Sequence, residues 1–182
     1  MQSCEGGKEG GSRTPSPWVV RWADRLEAGA LVLDLAAGAG RHARHLLSRG
    51  CRVVAVDRET AGLADLAGRA GMEIVAADLE AGPWPLPGRT FDAIVVTNYL
   101  WRPLLPILCA ALAPGGLLVY ETFAVGNERF GKPANPHFLL RTGELLELAR
   151  AHGLTVLAYE HGEDAVPKPG IRQRIAARRE AA

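Results

Sequence analysis

With 182 residues, of which 48% are hydrophobic and 23% charged, the chain has the size and composition of one soluble domain. A formal net charge of +1 gives no electrostatic preference for nucleic acid or an anionic membrane, and no apolar run reaches the roughly eighteen residues of a membrane-spanning helix. The three cysteines are far apart and have no histidine at ligand spacing, which argues against a disulfide framework or zinc site, so we expect a reduced, cytoplasmic protein without a metal.

The first part of the chain is predicted to be a disordered tail followed by a helix. Residues 1–15 are glycine-rich and polar and show no periodic apolar face, so we expect a single domain at 16–182. Pro17 opens an amphipathic pattern that continues to Leu26 and favours a helix.

Short apolar segments alternate with helical patterns along the rest of the chain. Strands are predicted at 30–35, 52–56, 73–76, 91–96, 117–121, 154–159 and 170–176. Helices are predicted from the turn after the first strand to about residue 48, and then at 61–70, 102–113 and 142–151, the last with Thr142 as N-cap. This alternation is typical of an α/β, Rossmann-like, doubly wound and mostly parallel sheet with helices on both faces, which binds ligands at the carboxyl ends of its strands.

A turn of small residues between an acid and a base follows the first strand. Its predicted ligand-binding members are Asp34, Ala36, Ala37, Gly38, Gly40 and Arg41. Small side chains let the backbone turn tightly and approach a ligand at the start of the next helix. The glycines also fit a dinucleotide-binding pattern, so the turn alone leaves an NAD-dependent oxidoreductase open.

Aspartates end the first three predicted strands. Asp34 precedes the glycines, where a carboxylate repels a diphosphate but attracts an ammonium group. Asp57 can accept hydrogen bonds from both hydroxyls of a ribose, and Asp78 is placed to accept one from an adenine amine. The three acids together predict one cleft for a phosphate-free ligand that contains adenosine and an amino acid. An NAD dinucleotide offers Asp78 no comparable role.

An ordered series of segments from about residue 31 to residue 123 resembles the core of the class I S-adenosylmethionine (SAM)-dependent methyltransferases. The segments are VLDLAAGAGRHARHL, VVAVD, AADLE, FDAIVVTNYL and LAPGGLLVYET. More narrowly, the chain is similar to short bacterial members grouped with tellurite-resistance-like methylases, partly through GNERFGKPANPHFLL. The resemblance implies SAM as cofactor and a seven-stranded sheet whose last strand, 170–176, runs antiparallel beside the fifth. The chain departs from the family at Ala36, where the first glycine of DxGxGxG usually stands.

Further cofactor contacts are predicted beside the acids. Arg41 is a partner for the carboxylate of the cofactor, and Arg58 and Leu79 adjoin the acids that end strands two and three. Asn98, which follows strand four, is predicted to contact either the methionine end of the cofactor or the acceptor.

The methyl acceptor is predicted to be a small molecule. Methyl transfer from a sulfonium requires an acceptor held in line, and a general base only where the acceptor is protonated and weakly nucleophilic. The candidate catalytic residues are Asn98, Tyr99 and His137, the last in a connection, 124–141, of the length typical of lids. Thr97-Asn98-Tyr99-Leu100 lacks the Asn/Asp-Pro-Pro-aromatic pattern of DNA amino-methylases, which disfavours DNA as substrate.

The C-terminal segment leaves a second acceptor class open. Five basic residues face only one acid in the last fifteen residues: Lys168, Arg172, Arg174, Arg178 and Arg179. We interpret them as a solvated strand and chain end, with an RNA-binding patch, and hence an RNA methyltransferase, as the alternative. A non-catalytic SAM-binding protein is a third class, because a fold alone does not prove activity.

Overall fold

The computed structural model describes residues 14–165 and 169–181, so the predicted disordered tail, apart from Thr14 and Pro15, and Lys168 lie outside the described residues. The strands of the described part are β1 (Leu31–Leu35), β2 (Arg52–Asp57), β3 (Met72–Ala76), β4 (Phe91–Thr97), β5 (Leu112–Phe123), β6 (Leu154–Asp164) and β7 (Gly170–Arg179). Its α-helices are α1 (Pro17–Ala23), α2 (Arg41–Ser48), α3 (Leu105–Ala110) and α4 (Glu144–Ala151). Segments of 3₁₀ helix lie at Thr60–Leu66, Arg102–Leu104, Asn127–Phe130 and Pro136–Phe138.

The strands form one sheet in the order β3-β2-β1-β4-β5-β7-β6. The first five strands are parallel to one another, and β7 lies antiparallel between β5 and β6. This confirms the predicted doubly wound sheet and the antiparallel last strand beside the fifth. The strand order changes direction between β1 and β4, so the carboxyl ends of these two strands flank the crevice in which such sheets bind ligands.

Alternate residues of the central strands enter separate cores on the two faces of the sheet. Leu33 and Ile94 belong to one buried cluster, whereas Val32 and Val95 belong to the other. Helix α1 covers the second face with Trp18 and Trp22, and the indole nitrogen of Trp18 donates to the carbonyl of Ile175 in β7. Burial on both faces explains the near-continuous apolar strands of the sequence.

Two of the predicted helices are much shorter than expected. The segment 61–70 is a 3₁₀ turn, Thr60–Leu66, which packs so closely on the glycine turn that a Cβ on Gly62 would lie 3.0 Å from Ala39 Cα. The segment 102–113 is a 3₁₀ turn followed by α3, because β5 begins at Leu112, opposite Phe91 of β4. Pro114-Gly115-Gly116 therefore lies in the irregular first part of β5, rather than between a helix and a strand.

The predicted N-cap of the last helix is also wrong. Gly143, with φ +75°, occupies the N-cap position of α4, and Thr142 is exposed. The first residue of α4, Glu144, is buried and accepts a hydrogen bond from the backbone N–H of Arg141 at 2.8 Å. The acid reaches back over the helix start and satisfies a donor there, so the threonine hydroxyl is not needed.

Candidate active site

The strand ends β1 and β4 carry the two unusual backbone conformations of the site. Among the described residues other than glycine, only Ala36 and Asn98 have positive φ, each at +53°. This left-handed region costs an alanine roughly 1–2 kcal/mol, whereas asparagine tolerates it better. Such conformations cluster at functional sites, and here both flank the crevice between β1 and β4.

A cavity of about 700 Å³ opens at the carboxyl ends of β1, β2 and β3. We call it the glycine-turn cavity; the predicted site residues that line it are Ala36, Gly38, Asp57, Arg58, Asp78, Leu79 and Tyr99. The turn thus lies beside the ends of the second and third strands, as the order of the acids predicts. A Cβ on Gly38, at φ +54°, would meet no atom within 4 Å, so this part of the turn is open to a ligand.

Backbone N–H groups orient two of the carboxylates that line the glycine-turn cavity, those of Asp57 and Asp78. Asp57 accepts a hydrogen bond from the N–H of Gly38 at 2.7 Å and one from Glu59 at 2.9 Å. Asp78 accepts from the N–H groups of Glu80, at 2.9 Å, and Ala81, at 3.1 Å. The bond from Glu80, followed by that from Ala81, holds the pKa of Asp78 below its usual range, so this carboxylate is ionised at neutral pH.

Asp34 does not line the glycine-turn cavity, contrary to the prediction of a single cleft with three acids. The side chain lies behind the turn with 1% of the residue exposed, because it belongs to the buried middle of the sheet. The backbone N–H of Ala43 in α2 donates to its carboxyl group, and its Oδ2 atom has no hydrogen-bond partner among the described residues. Burial raises the pKa of Asp34 to about 7, against the opposing effects of Ala43 and Arg41.

Two other turn residues support the site from behind. Ala37 is buried, and its N–H donates to the carbonyl of Val56 in β2. Gly40, with φ +71°, lies against the side chain of Leu63, which a Cβ would approach to 2.5 Å. Neither residue lines the cavity, and the small size of each is required by this packing.

A second cavity, of about 650 Å³, lies on the other side of Asn98. We call it the arginine-rich cavity; it is lined by Thr14, Pro15, Ser16, Pro17, Trp18, Arg21, Arg41, Asn98, Glu121, Glu160, Asp164, Arg172 and Arg174. Two predicted residues, Arg41 and Asn98, therefore face this cavity, whereas Tyr99 faces the glycine-turn cavity. The chain turns between the two cavities at Asn98 and Tyr99.

Two of the four arginines of β7, Arg172 and Arg174, are not part of a solvated surface, whereas Arg178 and Arg179 are exposed. The side chains of Arg172 and Arg174 are only 13% and 14% exposed. Arg174 pairs with Glu121 and Asp164, and Arg172 lies 3.1 Å from Asp164 and donates to Asn98 Oδ1 at 2.7 Å. Because β7 is an interior strand of the sheet, its charged side chains need partners of opposite charge.

A histidine that the sequence did not single out connects the start of α1 to the site. His42 Nε2 accepts the N–H of Ser16 at 3.2 Å, and Nδ1 lies 3.4 Å from the hydroxyl of Thr97 at the end of β4. Because Nε2 accepts a backbone N–H, the proton of the neutral ring is on Nδ1. Burial, followed by the electrostatic effects of Arg41 and His45, lowers the pKa of His42 to about 3.

The two remaining predicted catalytic residues, Tyr99 and His137, differ in burial. The Tyr99 hydroxyl is buried without a partner among the described residues, and burial raises its pKa, so it does not ionise near neutral pH. His137 is exposed in a 3₁₀ turn and lines neither cavity. The adjoining connection is held by Arg102, which pairs with Glu144 at 2.7 Å and donates to the carbonyls of His137 and Leu139.

Sequence reasoning missed the walls of the second cavity. The segment from Pro15 to Trp18 was predicted only as a tail and helix start, and nothing in its composition indicates a ligand. The β7 arginines did carry a signal: the antiparallel last strand implied by the family resemblance lies inside the sheet, where Arg172 and Arg174 at i and i+2 share one face.

Two classes of feature are absent from residues 14–165 and 169–181. No group of three or more potential ligands there is placed to hold a metal ion. No helix in the same residues has the length and apolar character required to cross a bilayer.

Comparison with known proteins shows what the chain is similar to. Residues 32–116 match a family model described as a methyltransferase domain. Similar solved structures include TehB from Haemophilus influenzae, at 19% identity and a TM-score of 0.74, and the 1,6-didemethyltoxoflavin-N1-methyltransferase of Burkholderia thailandensis, at 24% and 0.70. A third is the N-methyltransferase NodS from Bradyrhizobium japonicum, at 19% and 0.67.

The alignments cover most of this chain and a variable share of each relative. They include 89%, 90% and 89% of this chain, and 61%, 77% and 92% of TehB, the Burkholderia enzyme and NodS respectively, so the chain spans about three fifths of TehB. The search of curated proteins gives no match. At these identities the structural likeness shows the fold, and the matched domain contains β1 to β4, whose ends build the glycine-turn cavity. Residues 32–116 are thus similar to a methyltransferase domain, and the fold of the chain is that of the solved methyltransferases named above.

Proposed function

We propose that the protein methylates a small-molecule acceptor and that SAM binds in the glycine-turn cavity. The observation that carries the proposal is the arrangement of Gly38, Asp57 and Asp78 around one cavity at the ends of β1, β2 and β3. Two oriented carboxylates beside an open backbone turn fit the hydroxyl and amine donors of an adenosine. The Burkholderia relative was solved with S-adenosylhomocysteine bound, which supports the same class of ligand.

The charges around the turn fit SAM better than a dinucleotide. Asp57 already accepts the N–H of Gly38, so a carboxylate stands where the turn would otherwise offer its N–H to a diphosphate. Behind the turn, the unpartnered Oδ2 of Asp34 is a buried acceptor. In its ionised form this group would attract an ammonium near the turn and repel a diphosphate, and a bound ammonium would in turn favour that ionised form.

The chain's own residues have the following proposed roles. Asp57 holds the ribose hydroxyls and Asp78 the adenine amine, while Asn98, at the boundary of the two cavities, orients the acceptor. When bound, SAM supplies an electrophilic methyl group that an in-line nucleophile displaces. Positioning is the main requirement, since a well-oriented pair of reactants already removes a large part of the barrier. His137 stays a prediction as a base, because it lies outside both cavities.

Calorimetry with SAM, S-adenosylhomocysteine and NAD tests the cofactor assignment. We expect micromolar binding of the first two ligands and none of NAD; binding of NAD alone would overturn the proposal. Asp57→Asn should weaken S-adenosylhomocysteine roughly 10- to 100-fold, since hydrogen bonds to a charged group contribute about 1.5–3 kcal/mol. Asp24→Asn is the matched control, because Asp24 is exposed, pairs with Arg49 and lines neither cavity. An unchanged affinity in Asp57→Asn, with normal circular dichroism, would mean that the ribose lies elsewhere.

A transfer assay tests the acceptor class. Purified protein is incubated with methyl-labelled SAM and separately with small thiols, phenols, carboxylates, tellurite and tRNA. We expect label on a small molecule. The engagement of Arg172 and Arg174 inside the fold removes much of the basis for an RNA-binding patch. Label on tRNA alone would refute the small-molecule proposal while leaving the cofactor assignment intact.

A further inference from the structure

The arginine-rich cavity contains one more cationic than anionic side chain. Its charged lining consists of Arg21, Arg41, Arg172, Arg174, Glu121, Glu160 and Asp164. Arg174 lies within ion-pair distance of all three carboxylates, Arg172 shares Asp164, and Arg21 lies 3.7 Å from Glu160. No carboxylate among the described residues pairs with Arg41, and none of their atoms accepts a hydrogen bond from its guanidinium.

The guanidinium group of Arg172 is held in a fixed orientation, and one of its nitrogen atoms, Nη2, is left to bind a ligand. Its Nε lies 3.1 Å from Asp164, its Nη1 donates to Asn98, and its guanidinium carbon lies 3.9 Å from the centre of the Phe123 ring. Within the described part of the chain, no atom accepts a hydrogen bond from Nη2. A guanidinium that is already immobilised loses little conformational entropy when it binds a ligand.

Arg41 and Arg172 line the same cavity and carry like charges, so they repel each other. Burial lowers the pKa of Arg172, Glu121 and Asp164 oppose this, and the cations of Arg174 and, to a smaller extent, Arg41 lower it further. The charged form of Arg172 is therefore not fully compensated within the protein. An anion bound next to both guanidinium groups would relieve this repulsion, and a carboxylate matches the planar fork of an arginine.

We propose that Arg41 and Arg172 together bind a carboxylate group in the arginine-rich cavity. The wall formed by Pro15, Pro17 and Trp18 then contacts the apolar body that carries the carboxylate. This inference rests on the proposed function, and two molecules can bring the group: a carboxylic acid as methyl acceptor, or the methionine half of the cofactor. The chemistry of recognition is the same in both cases.

Titration calorimetry with benzoate, and with uncharged benzamide as its matched ligand, tests the proposal. Each is titrated into protein saturated with S-adenosylhomocysteine and into protein saturated with methylthioadenosine, which lacks the amino-acid half. Benzoate binding in both states, without benzamide binding, supports an acceptor carboxylate. Benzoate binding only with methylthioadenosine supports the carboxylate of the cofactor as occupant. Equal binding of benzoate and benzamide, or no benzoate binding in either state, overturns the proposal.

Variants assign the binding to the two arginines. Arg41→Gln and Arg172→Gln should each weaken benzoate roughly 10- to 100-fold, because each removes a charge-assisted hydrogen bond. Arg172→Lys, which keeps the charge but not the fork, should bind with intermediate affinity and covers the case in which Arg172→Gln fails to fold. Arg150→Gln is the matched control, since Arg150 is exposed on α4 and lines neither cavity. Unchanged benzoate affinity in folded Arg41→Gln and Arg172→Lys overturns the assignment. Failure of the unaltered protein to bind S-adenosylhomocysteine would instead refute the proposed function.

Discussion

The buried carboxyl group of Asp34 should make the stability of the cofactor-free protein fall as pH rises. Its pKa is about 7 in the folded protein, mainly because of burial, against an ordinary value of 3.8. Between these values the unfolded chain has lost the proton while the folded protein retains it, so unfolding becomes more favourable with increasing pH. At roughly 1.4 kcal/mol per pH unit, the full penalty is about 4 kcal/mol, absent below pH 3.8 and complete above pH 7.

Asp34→Asn removes this dependence, because the amide does not titrate and its oxygen can still accept from the N–H of Ala43. We expect the variant to gain about 3 kcal/mol relative to the unaltered protein between pH 5 and pH 8. Urea unfolding at several pH values, followed by circular dichroism, measures the difference. Glu27→Gln, at an exposed position near the end of α1, is the control and should show no such trend. A difference between Asp34→Asn and the unaltered protein that stays constant over this range would refute the reasoning.

Three further predictions concern the surroundings of the site. Ala36→Gly should raise stability by about 1 kcal/mol, because it relieves a positive φ, whereas Ala39→Gly, in the same turn, should lower it; thermal unfolding distinguishes them. The pKa of His42 is about 3 in the folded protein and 6.5 ordinarily, so the contribution of His42 to stability should fall as pH drops below 6.5; in urea unfolding, the free energy of His42→Gln relative to the unaltered protein should therefore rise over this range. Arg102→Met should cost about 3 kcal/mol by leaving the buried Glu144 with only the exposed Arg141 as ion-pair partner, and adding Glu144→Leu should recover part of this loss in the same assay.

The strands and the order of the acids were predictable from sequence, because each depends on local pattern. Buried parallel strands read as apolar runs, and a parallel sheet brings the residues that follow its strands to one edge. Asp57 and Asp78 were therefore expected together, and they line one cavity. The position of Asp34 was not predictable in the same way. One residue of difference in register decides whether a side chain at a strand end faces the ligand or the core.

The helices and the second cavity depend on contacts that no local pattern contains. The 3₁₀ turn at Thr60–Leu66 follows from the close approach of Gly62 to the glycine turn, and the early start of β5 follows from pairing with Phe91. The interaction of His42 with Ser16 joins residues 26 positions apart. Each of these features is specified by tertiary packing, which overrides the preference of the isolated segment.

The position of β7 inside the sheet explains why the net charge of +1 did not indicate the charged cavities of the site. Arg172 and Arg174 lie in the last segment of the chain, but the strand that carries them lies between β5 and β6, so their side chains face the arginine-rich cavity. The glycine-turn cavity, by contrast, has Asp57 and Asp78 in its lining. The two halves of the crevice thus have opposite electrostatic character across Asn98, although the charges nearly cancel over the whole chain. A basic segment of a sequence can therefore indicate a binding pocket rather than an exposed patch when the topology places that segment inside a sheet.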